Sequence, residues 1–173
     1  MKHPAIHGLY AITDPALIRD RQLLPAAEAA LRGGARLLQY RDKTATPAQR
    51  RHRAAQLQAL CRQHDALFLV NDDPALAADI DADGVHIGQS DGGIARARRL
   101  LGPGKIIGVT CHSDLALAEQ AAAAGADYVA FGRFFPSRTK PLAPPADPAI
   151  LDQARQQLTI PLVAIGGINS DNG

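Results

Sequence analysis

Short apolar segments alternate with longer amphipathic ones along the whole chain, and this alternation restricts the fold more than any other feature. GLYAIT (Gly8 to Thr13), RLLQYR (Arg36 to Arg41), LFLVN (Leu67 to Asn71), GVHIG (Gly84 to Gly88), KIIGVTC (Lys105 to Cys111), YVAFG (Tyr128 to Gly132) and PLVAIGG (Pro161 to Gly167) read as strands. Between them, stretches such as Pro47 to His64 and Leu115 to Ala124 carry Leu and Ala at helical spacing. Apolar strands separated by helices imply a parallel sheet with helices outside it. The joints GGARLLQ, ADGVHIG and GADYVAFG repeat a theme, and Gly34, Gly84 and Gly125 are expected near helix ends as left-handed C-caps. Units about 25 residues apart favour a TIM (β/α)8 barrel over a doubly wound sheet. No glycine-rich dinucleotide fingerprint opens the first unit. The expectation is a single α/β barrel domain over residues 1–173. The chain ends at INSDNG, just after the seventh strand, so the last helix, the eighth strand and the final helix are expected to be absent from it.

Composition narrows the function. Hydrophobic residues make up 46% and charged residues 21%, an ordinary globular balance. Aromatic residues are only 4% and the net charge is +2, so neither a base-stacking platform nor a basic nucleic-acid patch is indicated. The Arg-rich stretches Arg50 to Arg53 and Arg96 to Arg99 read as solvated helix faces. Cys61 and Cys111 stand in no metal or redox spacing and read as reduced thiols of a cytoplasmic protein. Cys111 and His112 are neighbours on a strand, so they point to opposite faces and make a poor dyad. The N-terminus lacks a signal-peptide core and no apolar run approaches a membrane span.

Function in such barrels lies at the C-terminal ends of the strands. QYRDK ends strand two, and alternation puts Gln39, Arg41 and Lys43 on one face, with Leu38 and Tyr40 toward the helices. Two cations and an amide at the barrel mouth suit an anionic, oxygen-rich ligand such as a pyrophosphate. The competing reading is a solvated strand end with Arg41 paired to Asp42. Asp72 and Asp91 follow strands three and four, and two carboxylates beside a basic cluster suit Mg²⁺. As alternatives, Asp73 and Asp91 can each cap a helix, and so can Ser113. Thr110 or Ser113 brings a hydroxyl to the rim after strand five. Ser137, Arg138, Thr139 and Lys140 form a second phosphate cradle after strand six, and the Pro-rich stretch Lys140 to Asp147 reads as an ordered or closing loop. Gly166 and Gly167 let the backbone approach a ligand closely. His86 is equally a general base and a hydrogen-bonded structural residue, and no role is assigned to it.

In this order, GLYAITD, LLQYRDK, VNDD, DGVHIGQSD, IIGVTCHS, GADYVAFGRFFPSRTKP and VAIGGI resemble the thiamine-phosphate synthase family, in the form typical of gammaproteobacteria. The resemblance runs from Gly8 to the last residue. It implies an enzyme that joins a hydroxymethylpyrimidine pyrophosphate to a thiazole phosphate, releasing pyrophosphate by a dissociative, Mg²⁺-assisted displacement. It implies further that Gln39, Arg41 and Lys43 hold the pyrimidine pyrophosphate, with Tyr40 and Asp42 in the same substrate-binding string. Asn71 matches the residue beside the pyrimidine, Asp72 and Asp91 match the Mg²⁺ ligands, and Thr110 stands where the family usually has Ser. Ser137, Arg138 and Thr139 match the thiazole-phosphate loop, Ser137 replacing the usual Thr. Lys140 matches the lysine on the pyrophosphate and Gly167 a glycine at the thiazole phosphate. The catalytic cations are then Arg41, Lys43 and Lys140. The family's loop after strand eight, which completes the thiazole-phosphate site, has no matching residues in this chain.

Two other readings compete. A thiazole tautomerase relative shares the fold but lacks the full pyrophosphate set, which this chain retains. A non-catalytic module would bind phosphate ligands without turnover. The expected partners are small-molecule substrates, with no nucleic acid or membrane, and assembly as a homo-oligomer is left open.

Overall fold

The computed structural model describes residues 6–137 and 144–173. Its strands are β1 (Leu9–Ile12), β2 (Ala35–Tyr40), β3 (Leu67–Asn71), β4 (Gly84–Ile87), β5 (Ile106–His112), β6 (Tyr128–Phe131) and β7 (Leu162–Ala164). Its helices are α1 (Leu23–Arg32), α2 (Pro47–Gln63), α3 (Pro74–Asp79), α4 (Gly93–Leu101), α5 (Leu115–Ala123) and α6 (Ala149–Gln157), with one 3-10 turn at Asp20–Gln22. All seven strands are parallel and pair in chain order from β1 to β7. The sheet is curled: Tyr10 on β1 and Tyr128 on β6, at nearly opposite ends of the strand order, bring their hydroxyls to 2.8 Å.

Curling divides the core in two. Leu38, Tyr40, Phe68, Val70, Val85, Ile87, Ile107, Val109, Val129 and Phe131 pack outward against the helices. Their alternating neighbours Leu37, Leu69, Ile106 and Tyr128 pack inward with Ile6, Tyr10, Leu67 and Val163. This is period-two alternation applied to a sheet buried on both faces. Local signals start the helices. Thr46 and Gln49 form a capping box at α2 with Pro47 in the first turn, while Asp73 and Asp114 cap α3 and α5.

Several sequence expectations change. Asp114, not Ser113, caps α5. Gly34 and Gly125 take positive φ as expected, whereas Gly84 does not, and Asp81 makes the left-handed turn in that joint at φ +54°. Gly84 is needed for space instead, since a Cβ there would lie 2.0 Å from the Ile106 carbonyl oxygen. The solvated-face reading of the α2 arginines holds for the exposed Arg51 and fails for Arg50 and Arg53. Arg50 pairs with Asp73 and Arg51 with Asp79, and the largely buried Arg53 bridges Asp20 and Asp42. Arg98 is likewise engaged, tying the Gly102, Lys105 and Gly125 carbonyls to Asp127. Among the described residues, no helix is long and apolar enough to cross a membrane.

Candidate active site

The QYRDK string divides its side chains between three environments. Gln39 is buried inside the curled sheet, where its Nε2 donates to the Tyr10 hydroxyl at 2.8 Å. Tyr40 faces the helix layer. The strand ends at Tyr40 because the Arg41 N–H leaves the sheet ladder and donates to the Thr13 hydroxyl at 2.8 Å. Arg41 and Lys43 therefore stand at the rim. Asp42 pairs with Arg53 at 2.8 Å and Lys43 with Asp72 at 2.9 Å, so the alternative pairing of Arg41 with Asp42 is not formed.

Asp42 shapes the loop that carries these cations. One carboxylate oxygen accepts from the Thr44 N–H, the Thr44 hydroxyl and the Ala45 N–H, and the other meets Arg53. Burial works against the charged form, but the bonds from Thr44 and Ala45 and the Arg53 charge outweigh it and hold the carboxyl below its ordinary value of 3.8. A folded-state pKa below the unfolded one adds stability above the unfolded value, and that stability is lost as pH falls through the folded value. Asp42→Asn is therefore expected to cost about 1–2 kcal/mol near neutral pH, with the gap to the parent shrinking below about pH 4. Urea unfolding midpoints across that range check this.

Asp72 follows β3 in a left-handed conformation, φ +62°, which an Asp tolerates. Its N–H donates to the His86 carbonyl at 2.8 Å, tying the turn to β4. Burial opposes ionisation of its carboxyl, yet hydrogen bonds from Lys43, Asp91 and Asn71 and the Lys43 charge hold it below the ordinary range. Asp91 does not cap α4, whose N-cap is Gly92 with no side-chain bond. Its Oδ2 turns back to accept the Gly88 N–H at 2.7 Å. The two carboxyls stand on the loops after neighbouring strands and interact, with the Lys43 ammonium paired to Asp72. Among the described residues, no group of three or more His, Cys, Asp or Glu could hold a metal ion. Mg²⁺ commonly takes only one or two carboxylates, with phosphate oxygens and water completing its octahedron, so Asp72 and Asp91 fit that ion.

On β5, Thr110 sits on the inner face and its hydroxyl meets His86 Nε2 at 2.8 Å. Gly167, at φ +69°, lies against the loop after β6. A Cβ there would come within 2.4 Å of the Pro136 carbonyl oxygen, so only glycine lets the two loops close together beside Ser137. Arg138, Thr139 and Lys140 lie outside the described residues. Cys111 points into the helix layer, and burial, with Asp114 nearby, pushes its thiol up to about 12, which removes it as a nucleophile.

Three residues of this site were not assigned from the sequence. Thr13 holds the Arg41 backbone through both its N–H and its carbonyl. Tyr10 and Tyr128 line the interior beside Gln39 and His86. The one available signal for the tyrosines was their inward parity on strands otherwise lined by aliphatic residues.

The family model for thiamine monophosphate synthase matches residues 9–173. The chain is 72% identical to the thiamine-phosphate synthase of Alcanivorax borkumensis over 96% of its own length and 77% of that protein. It is 53% identical to that of Saccharophagus degradans, with the same two coverages. Among solved structures, it resembles thiamine phosphate pyrophosphorylase from Pyrococcus furiosus, with a TM-score of 0.84 and 37% identity over 94% of this chain and 76% of that one. A 3-dehydroquinate dehydratase from Geobacillus kaustophilus, at 21% identity and a TM-score of 0.62, shares the fold alone. With the family model spanning nearly the whole chain, and relatives of that family at 72% and 53% identity, the chain belongs to the thiamine monophosphate synthase family.

Proposed function

We propose that this enzyme joins a hydroxymethylpyrimidine pyrophosphate to a thiazole phosphate, giving thiamine phosphate and pyrophosphate. The observation that carries the reading is the Lys43–Asp72 ion pair at 2.9 Å, with Arg41 and Asp91 on the loops after the neighbouring strands β2 and β4. The names of the relatives support it.

The bond between the pyrimidine methylene and the pyrophosphate oxygen breaks, and the pyrophosphate leaves with the electron pair. The thiazole nitrogen then attacks the pyrimidine-methyl cation. No protein nucleophile takes part; the protein's task is to stabilise the departing anion and align the two partners. Arg41 and Lys43 supply fixed positive charge at the leaving group, joined by Lys140. Mg²⁺ held by Asp72 and Asp91 would add charge neutralisation there. Gln39, Asn71 and Thr110 face the pyrimidine. Ser137, Arg138, Thr139 and Gly167 serve the thiazole phosphate. Asp42 contributes through the loop it anchors, and Tyr40, packed in the helix layer, backs the strand end that carries Arg41. The complete fold is proposed as the closed (β/α)8 barrel, an eighth strand pairing with both β7 and β1; on β1 the exposed Leu9 lies at that open edge.

The test is a coupling assay with both substrates and Mg²⁺. Thiamine phosphate and pyrophosphate are expected in equal amounts, and neither from one substrate alone. Binding of both ligands without product would replace this reading with the non-catalytic one. Excess chelator is expected to lower the rate at least about 100-fold, with recovery when Mg²⁺ is returned.

A further inference from the structure

Inside the curled sheet, five side chains from five strands form one unbroken line of hydrogen bonds. Gln39 Nε2 lies 2.8 Å from Tyr10 Oη, which lies 2.8 Å from Tyr128 Oη. Tyr128 Oη lies 2.7 Å from His86 Nδ1, and His86 Nε2 lies 2.8 Å from Thr110 Oγ1. The two end residues belong to the pyrimidine site proposed above, while the three in the middle have no role in it.

We infer that Tyr10, Tyr128 and His86 are positioning residues: they form a one-way hydrogen-bond chain that holds His86 as its Nε2–H tautomer and turns the Thr110 hydroxyl proton toward the ligand. The direction follows from counting protons. An amide nitrogen only donates, so Tyr10 accepts from Gln39. The single Tyr10 proton then goes to Tyr128, and the single Tyr128 proton goes to His86 Nδ1. A neutral imidazole whose Nδ1 accepts carries its proton on Nε2. That proton serves Thr110, which, having accepted, keeps its own proton for another acceptor. At the far end the Gln39 amide has spent a donor inward and offers its oxygen. The site thus presents one acceptor and one donor, the complement of an amino group and a ring nitrogen on a heterocycle.

The surroundings keep this line intact. Burial above all pushes the Tyr10 phenol up to about 12 and the Tyr128 phenol well above its ordinary value, so each keeps the proton the chain requires. Tyr128 stacks on His86, with ring centroids 5.6 Å apart, and meets Tyr10 edge to face at 6.0 Å. Gly108 lies between the two in register, opposite His86 on one side and Tyr128 on the other. Having no side chain, it lets the Tyr128 ring cross β5 to reach β4.

The inference rests on the proposed pyrimidine site, so its test has two arms. In the first, ¹⁵N spectra of the histidine side chains of the full chain are recorded, with His86 assigned by its loss in His86→Asn or its response to Tyr128→Phe. A protonated Nε2 and bare Nδ1 are expected; a protonated Nδ1 would overturn the chain's direction. In the second, Tyr128→Phe and Tyr10→Phe are titrated with the pyrimidine pyrophosphate and separately with inorganic pyrophosphate, both with Mg²⁺. The Kd for the first is expected to rise about tenfold, one misdirected hydrogen bond, while the second stays within about twofold. Equal weakening of both ligands, or of neither, would reduce the chain to a packing feature. If the parent protein binds neither ligand, the proposed function fails, and the tautomer measurement still decides the chain.

Discussion

Arg41→Ala is expected to slow coupling about 10²–10³-fold while leaving the fold in place. Removing one preorganised charge donor from a leaving anion typically costs that much, and the proposed function puts Arg41 where that charge develops. Stability should hardly change, because the ion pairs that organise the loop belong to its neighbours: Asp42 with Arg53, and Lys43 with Asp72. The Arg41 backbone keeps its bonds to Thr13 whatever the side chain. Initial rates at saturating thiazole phosphate, alongside thermal melts, measure both halves. A near-normal rate with an unchanged melt would remove Arg41 from the catalytic set. Arg41→Lys is expected to recover only part of the loss, since a point charge replaces a planar fork.

Gly108→Ala is expected to destabilise the protein by about 3 kcal/mol and to abolish pyrimidine binding in whatever folds. An added Cβ would lie 1.9 Å from Cζ and 2.3 Å from the hydroxyl oxygen of Tyr128. Tyr128 cannot yield, being fully buried and stacked on His86. The φ of Gly108 is not in the left-handed region, so the cost is purely one of space. Urea midpoints of Gly108→Ala against the double variant Gly108→Ala/Tyr128→Ala check this. Removing the ring is expected to restore part of the stability lost at position 108, a non-additivity diagnostic of direct contact.

Much of the site was legible in the chain because βα repetition fixes where strands end. Strand parity placed Gln39 inward and Tyr40 outward correctly. It was less exact for Arg41 and Lys43, because the strand stops at Tyr40, where a hydroxyl from β1 captures the next N–H. The capping alternative held for Asp73 and failed for Asp91. Both stand just before a helix, and only the fold shows that Asp91 turns back to Gly88. Arg53 reads as one more surface arginine, since nothing local announces that Asp20 and Asp42 converge on it.

By itself the amino-acid sequence determined the units, their order, the inward and outward faces of β2, and the cations and carboxylates that follow the strands. These follow from periods of two and 3.6 residues and from turn chemistry, all of which act over a few residues. Tertiary structure alone decided which inward side chains touch. Tyr10 and Tyr128 are 118 positions apart, and they meet only because the sheet curls and Gly108 leaves the path open. Curvature is a property of the whole sheet, so no local window could show that Gln39, His86 and Thr110 are joined through two tyrosines.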